Sequence, residues 1–371
     1  MSGAGGEQEF PSPMFEGAEK KLVLYAADAG AAAGGDLRRV ARAEWDAGLA
    51  LAGCSVISVL PSAGGRDAGF DAYLLSESSL FVYARQVVVK TCGRTEPLKM
   101  VPTVARAAAA AGLAVSSVTY SRSNFQQPEL QPAPHSDGFA AEAQVLDALF
   151  PGAAGAPPSK SRICGQAHSF APCCEQPLRW HAYVNECAGA PAAARDSTLE
   201  VAMLELDACA AARYHRRPAL APSEDGALAT AAGGIGAVLR GYATDSFMFE
   251  PCGYSLNGAK DGRYATVHIT PEHCCSFASF ETNDPELHTA ATVALVVAAL
   301  QPRRFSVALT QQGASPRAPA GDYLAALWRK GMRYTASAKT YRLGGSATVE
   351  HVTFSAEARS PPATPPSPGG L

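Results

Sequence analysis

The residue types that could do chemistry gather in a few short stretches. Ser76-Glu77-Ser78-Ser79 sets three hydroxyls and a carboxylate inside Asp71–Cys92, a segment otherwise rich in Leu, Phe, Val and Tyr. Taken alone, hydroxyls on the wet face of a strand account for that cluster. Phe15-Glu16-Gly17-Ala18-Glu19-Lys20 is an acidic turn entering an alternating strand. His268 sits on a second alternating strand, where a histidine is most often structural. Ser255 follows Cys252-Gly253-Tyr254 in a turn-like setting. Cys92 closes a β-branched run, where a thiol commonly packs as a small hydrophobe. Two chemistries find no support. No Gly-x-Ser-x-Gly elbow is present for a serine hydrolase. Cys173-Cys174 and Cys274-Cys275, with His181 and His273 as further donors, are adjacent pairs. They lack the Cys-x-x-Cys spacing that sets two thiolates on one ion, so no metal is expected.

These residues need a folded chain to position them, and the composition provides for one. With 371 residues, 47% of them hydrophobic and 18% charged, the chain can bury a large core. A net charge of −3 and the lack of any basic block argue against nucleic acid as a partner. The longest apolar run, Leu287–Leu300, is too short to span a bilayer, so no membrane is expected. The first residues show no basic stretch followed by an apolar one, hence no secretory signal. Ten cysteines without regular spacing fit a reduced, cytoplasmic protein.

Periodicity predicts helices over Leu37–Leu51, Leu98–Gly112, Phe139–Phe150, Thr198–Tyr214 and Glu286–Leu300. Strands are expected at Lys21–Tyr25, Cys54–Leu60, Val115–Ser121, Trp180–Val184, Phe247–Tyr254, Tyr264–Thr270, Phe277–Glu281 and Phe305–Thr310. Asp71–Cys92 reads as a two-stranded hairpin, while Pro151–Pro177 and Arg216–Gly233 read as irregular connections. Hairpin, helix and strand recur in the same order in both halves. The fold class is α+β, with antiparallel sheets and single helices between them. Residues 1–14 form a flexible lead-in, 15–355 a single domain, and 356–371 a disordered tail.

Asp71–Cys92 resembles the self-processing site of the eukaryotic S-adenosylmethionine decarboxylases. So do the FEGxEK pattern at Phe15–Lys20, YSRxxF at Tyr120–Phe125, FEPCGYSLNG at Phe249–Gly258, and TVHITPE with SFE at Thr266–Glu281. FEPCGYS and Gln131-Pro132-Ala133-Pro134-His135 resemble the plant and algal branch. The resemblance implies a four-layer αββα sandwich with two central antiparallel sheets and two pseudo-repeated halves. It also implies cleavage between Glu77 and Ser78 into a β chain, 1–77, and an α chain, 78–371. Ser78 would become a pyruvoyl group, the cofactor, after attack of its hydroxyl on the Glu77 carbonyl, elimination of the resulting ester, and hydrolysis. His268 would be the base of the elimination, and Ser255 would assist the ester stage.

By the same resemblance, the mature enzyme binds S-adenosylmethionine as a Schiff base, removes its carboxyl group, and so serves spermidine and spermine synthesis. Cys92 would reprotonate the α-carbon, which suits a thiol of pKa near ~8.5. Phe15 and Phe249 would sandwich the adenine; as bare residues both would usually be core. Glu272 would accept the ribose diol, Glu77 would line the site, and Glu16 and Glu19 would support catalysis. Asp196, Thr198, Glu200 and Glu281 match part of an acidic cluster that holds putrescine in animal members. Val23 stands at the family's acidic position there, Lys21 resembles a built-in plant cation, and Thr119 fits neither pattern. Putrescine stimulation is therefore expected to be weak or absent, and the αβ unit a monomer or homodimer. The rival is a regulatory partner subunit that cannot process itself, against which Ser78, Cys92, Ser255 and His268 all argue.

Overall fold

Alternating apolar residues build sixteen strands among the described residues, and these pair in one order twice. The computed structural model describes residues 15–30, 34–60, 69–150, 159–163, 178–186, 197–312, 320–343 and 347–357. The first half contains β1 Lys20–Asp28, β2 Val56–Leu60, β3 Asp71–Leu75, β4 Ser78–Val82, β5 Gln86–Thr91, β6 Leu113–Ser123, β7 Ser159–Ile163 and β8 Trp180–Glu186. Helices α1 Arg42–Ala52, α2 Val101–Ala110 and α3 Phe139–Leu149 lie between them in sequence. The second half contains β9 Thr198–Leu204, β10 Ala243–Met248, β11 Tyr254–Lys260, β12 Arg263–Thr270, β13 Phe277–Thr282, β14 Arg304–Gln312, β15 Tyr334–Leu343 and β16 Ala347–Ala356. Its helices are α4 Ala208–Ala211, α5 Pro222–Ala232, α6 Ile235–Val238, α7 Ala290–Leu300 and α8 Ala320–Arg329.

One sheet runs β2-β3-β4-β5-β1-β6-β8-β7 and the other β10-β11-β12-β13-β9-β14-β16-β15. Every strand of the second sheet thus occupies the place of the strand eight earlier. The expected pseudo-repeat is present in topology. Leu22, Leu80, Val87 and Val89 pack with Trp45, Val104 and Leu146 on the helix side of the first sheet. Val201, Leu256, Val267 and Phe280 pack with Val293 and Val297 on the helix side of the second. Val23, Phe81 and Val88 meet Ala259 and Tyr264 between the sheets. The order of layers is helices, sheet, sheet, helices, as the α+β sandwich requires.

Several local expectations are corrected. Asp71–Cys92 forms three strands, because Ser76-Glu77 is a two-residue turn that pairs Leu75 with Ser78. Thr198–Tyr214 begins as the central strand β9: Leu199, Val201 and Met203 alternate into the helix-side core. Leu199, Met203, Leu206 and Ala210 also recur near helical spacing, so tertiary pairing with β13 and β14 decided between the two periods. Arg216–Gly233 holds α5, which starts at Pro222 and seats on β10 through Gly226. A Cβ there would lie 2.8 Å from the Phe247 nitrogen, so close packing on a glycine replaced an apolar stripe. Phe247–Tyr254 is no single strand; β10 ends at Met248 and β11 begins at Tyr254. The Pro151–Pro177 stretch contains β7. The rest of that stretch, Asp196 and the tail from 358 lie outside the described residues.

Candidate active site

Ser78 opens β4 with a φ of 121°, a backbone region that residues other than glycine seldom occupy. Strain of this kind costs on the order of 1–3 kcal/mol and persists only where neighbours enforce it. Here they do. Leu80 and Val82 of the same strand face the helices, yet the Ser78 hydroxyl reaches Glu19 and donates to its Oε1 at 2.6 Å. The peptide before Ser78 is also held: the Glu77 carbonyl accepts the Cys92 N–H at 3.0 Å and the Cys92 thiol at 3.4 Å.

The second sheet supplies a histidine opposite this turn. His268 on β12 pairs in register with Ser255 on β11, which puts the Ser255 hydroxyl 2.8 Å from Nδ1. Nε2 lies 2.8 Å from the Thr266 hydroxyl, 3.1 Å from the Ser79 hydroxyl and 3.8 Å from Glu19 Oε1. Burial lowers the His268 pKa to about 4, against the pull of Glu19, so the ring is neutral at pH 7. The Cys92 thiol is pushed well up by burial, with the Glu19 and Glu77 carboxylates adding to the effect, and keeps its proton. Both changes have one cause: little water reaches this space.

A cavity of about 300 Å³ opens beside these groups, lined among others by Ser78, Cys92, Ser255 and His268. Phe15, Glu77, Phe249 and Glu272 line it as well. Glu272 Oε2 accepts the Phe15 N–H at 3.3 Å, tying the entry of β1 to the turn after β12. Gly17 makes this approach possible, since a Cβ there would come 2.4 Å from Phe277 Cβ. Glu16 faces elsewhere. Its carboxylate accepts three backbone amides, from Ala18, Gln126 and Gln127, at 2.7–3.1 Å, and so anchors the chain rather than lining the cavity.

Residues 12–348 match the family model described as adenosylmethionine decarboxylase. The chain belongs to the adenosylmethionine decarboxylase family. It is 36% identical over 301 residues to an S-adenosylmethionine decarboxylase proenzyme of Ipomoea nil, covering 80% of this chain and 78% of that one. A Dictyostelium discoideum proenzyme is 33% identical over 318 residues, covering 83% and 76%. A Drosophila melanogaster proenzyme is 33% identical over 301 residues, covering 80% and 83%. Among solved structures, the monomer of Trypanosoma brucei AdoMetDC-delta26 shares the fold with a TM-score of 0.55. It is 23% identical and covers 75% of this chain and 99% of that one.

Three of the residues expected in an acidic cluster, Thr198, Glu200 and Glu281, lie close to Lys21 between the sheets. Thr198, Glu200, Lys21, Val23 and Thr119 line a small cavity of about 50 Å³ there. Because β1 and β9 occupy equivalent places, Lys21 and Glu200 come from corresponding strands. Lys21 pairs with Glu281 at 2.7 Å. Burial raises the Glu200 pKa to about 7, with the Glu281 charge adding to it.

Sequence reasoning missed Lys90, the group that joins this cluster to Glu19, the carboxylate bonded by Ser78. Its ammonium lies 3.0 Å from Glu281 and 3.1 Å from Glu19. Burial opposes charge on all three, but attraction outweighs it: Lys21 and then Lys90 bring the Glu281 carboxyl below its usual range, Lys90 does the same for Glu19, and the two carboxylates raise Lys90 above its own. A lysine within Val87-Val88-Val89-Lys90 was the available signal, since a lone charge in a buried β run requires a partner. Asn257 and Thr266 were missed too; with His268 they surround the Ser79 hydroxyl. Of the further cysteine and histidine candidates, His181 bonds Asn124 on the first sheet, far in topology from Cys274 and Cys275, and Cys173-Cys174 lie outside the described residues. No described helix is long and apolar enough to cross a membrane.

Proposed function

We propose that this chain is an S-adenosylmethionine decarboxylase proenzyme. It cuts itself between Glu77 and Ser78, then converts S-adenosylmethionine to S-adenosylmethioninamine, the aminopropyl donor for spermidine and spermine. One observation carries the reading: Ser78, strained at φ 121°, follows a carbonyl already held by two donors of Cys92.

In the first step the Ser78 hydroxyl attacks the Glu77 carbonyl carbon. Glu19 draws its proton, the Cys92 N–H and thiol meet the charge developing on the carbonyl oxygen, and the Glu77–Ser78 C–N bond then breaks as the Ser78 nitrogen takes up a proton, leaving an ester of Glu77. Neutral His268, steadied by Ser255 and Thr266, then takes the α-proton of Ser78 as the ester oxygen leaves its β-carbon. Hydrolysis of the dehydroalanine, with its nitrogen lost as ammonia, leaves a blocked residue 78. The surroundings fit a pyruvoyl group at that position, because a cavity adjoins it and a protonated thiol stands beside it. Such a group supplies a carbonyl that takes up the substrate amine and accepts the electron pair freed with carbon dioxide. Cys92 then delivers a proton to the α-carbon. Phe15 and Phe249 offer aromatic faces to the adenine and sulfonium, where a desolvated cation gains roughly 0.5–2 kcal/mol. Glu272 accepts the ribose hydroxyls, Glu77 lines the pocket, and Glu16 and Glu19 hold the β1 entry in place.

Between the sheets, Lys21 and Lys90 already neutralise Glu281, so putrescine adds little. The intact mass of the denatured protein tests the central claim. Two fragments, one ending at Glu77 and one starting with a borohydride-reducible residue 78, are expected. A single uncut chain would favour an inert partner subunit.

A further inference from the structure

The turn between β12 and β13 gathers two thiols and a carboxylate that the proposed chemistry does not need together. Cys274 and Cys275 Sγ are 3.9 Å apart, and Cys275 Sγ is 3.4 Å from Glu272 Oε2. The three donor atoms all lie within 4.8 Å of one another. The turn fixes them: the Cys275 N–H bonds the Glu272 carbonyl at 3.1 Å, and Cys275 is only 3% exposed, with its Sγ also 3.6 Å from the Phe15 carbonyl. Cys274 is exposed, which leaves an open approach on one side.

We infer that Glu272, Cys274 and Cys275 form a site for a soft divalent cation of the zinc type at the mouth of the substrate pocket. Zinc bonds thiolate at about 2.3 Å and carboxylate at about 2.0 Å, so a tetrahedral ion sets its sulfurs roughly 3.8 Å apart and sulfur from oxygen roughly 3.5 Å apart. The turn already holds the corresponding atoms at 3.9 and 3.4 Å. Adjacent cysteines do not normally reach one ion, but here Cys274 and Cys275 turn their sulfurs to the same side. Each thiol would release its proton to solvent on ligation, and water would complete the fourth position. Because Glu272 Oε2 is one ligand, the bound ion takes the carboxylate that the proposed function assigns to the ribose diol. The cation and the substrate therefore exclude one another, a consequence that rests on that assignment.

The test uses processed full-length protein held reduced without added thiol, and compares wild type with Cys274→Ser. Zinc is titrated against a chromophoric chelator, and decarboxylation is then followed at several zinc concentrations. Wild type should bind one zinc more tightly than the variant by at least about tenfold. Zinc should raise the apparent KM of wild type at constant kcat, and leave the variant's KM unmoved. Equal zinc affinity and stoichiometry in the two proteins would overturn the site. Zinc binding lost in the variant, with no effect of zinc on KM in wild type, would keep the site and overturn instead the role of Glu272 toward substrate.

Discussion

Cys92 grips the Glu77 carbonyl twice, with its backbone N–H at 3.0 Å and its thiol at 3.4 Å. The two donors separate in a Cys92→Ala variant, which keeps the N–H and loses the thiol. Self-cleavage should then proceed, more slowly, while decarboxylation falls by about 10²–10⁴-fold, the range for a lost general acid. Fragment accumulation on denaturing gels and carbon dioxide release measure the two steps separately. Ser78→Ala, by contrast, should stay a single chain indefinitely.

His268 must be neutral to take a proton, and burial holds its pKa at about 4. Cleavage of freshly unmasked proenzyme should accordingly be nearly independent of this group from pH 6 to 8, and decline only as pH falls toward about 4, where the ring gains its proton. A rate that halves near the ordinary histidine pKa of about 6.5 would contradict the buried, dry setting.

Lys90 sits between two buried carboxylates. Lys90→Met should destabilise the protein by about 3–5 kcal/mol, since it strands charges that nothing else neutralises fully. Adding Glu281→Gln should restore part of the loss. Urea denaturation of the single and double variants gives the comparison, and equal stability of Lys90→Met and wild type would show that the triad contributes nothing.

Diamine response should follow the cations between the sheets. Wild type should change less than twofold in activity with putrescine, whereas Lys21→Met, which frees one side of Glu281, should gain a clear stimulation. Glu200 has a pKa raised to about 7, so it is neutral below that pH and ionised above it. Lys21 is one of the charges holding that value down, so in the variant Glu200 ionises at higher pH, and affinity for the dication should increase as pH is raised above 7.

The proposed cut between Glu77 and Ser78 lies inside one sheet. β1, β2 and β3 precede Glu77, yet β1 lies between β5 and β6, and β3 pairs β4. The two chains should thus co-elute on native gel filtration after cleavage and part only in denaturant.

Short motifs made the proposed reacting residues legible. A serine in an apolar run, a histidine and serine on alternating strands, and two glutamates after Phe15 are local patterns, and so are most strand and helix positions, because a buried face imposes its period on neighbouring residues. What the sequence by itself determined was which side chains exist and which segments could be extended. It did not determine that Thr198–Leu204 is a strand, since Leu199 and Met203 suit either period until β13 and β14 flank them. Nor did it show Lys90 against Glu19 and Glu281, or the sulfurs of Cys274 and Cys275 on one side of a turn. Ser79 meets Asn257 and His268 across 178 and 189 residues, contacts made only when two sheets of like topology are laid face to face. Only the tertiary structure decided those, because the low water content between the sheets, which sets the histidine neutral and the thiol protonated, belongs to the packing of both halves and to no segment alone.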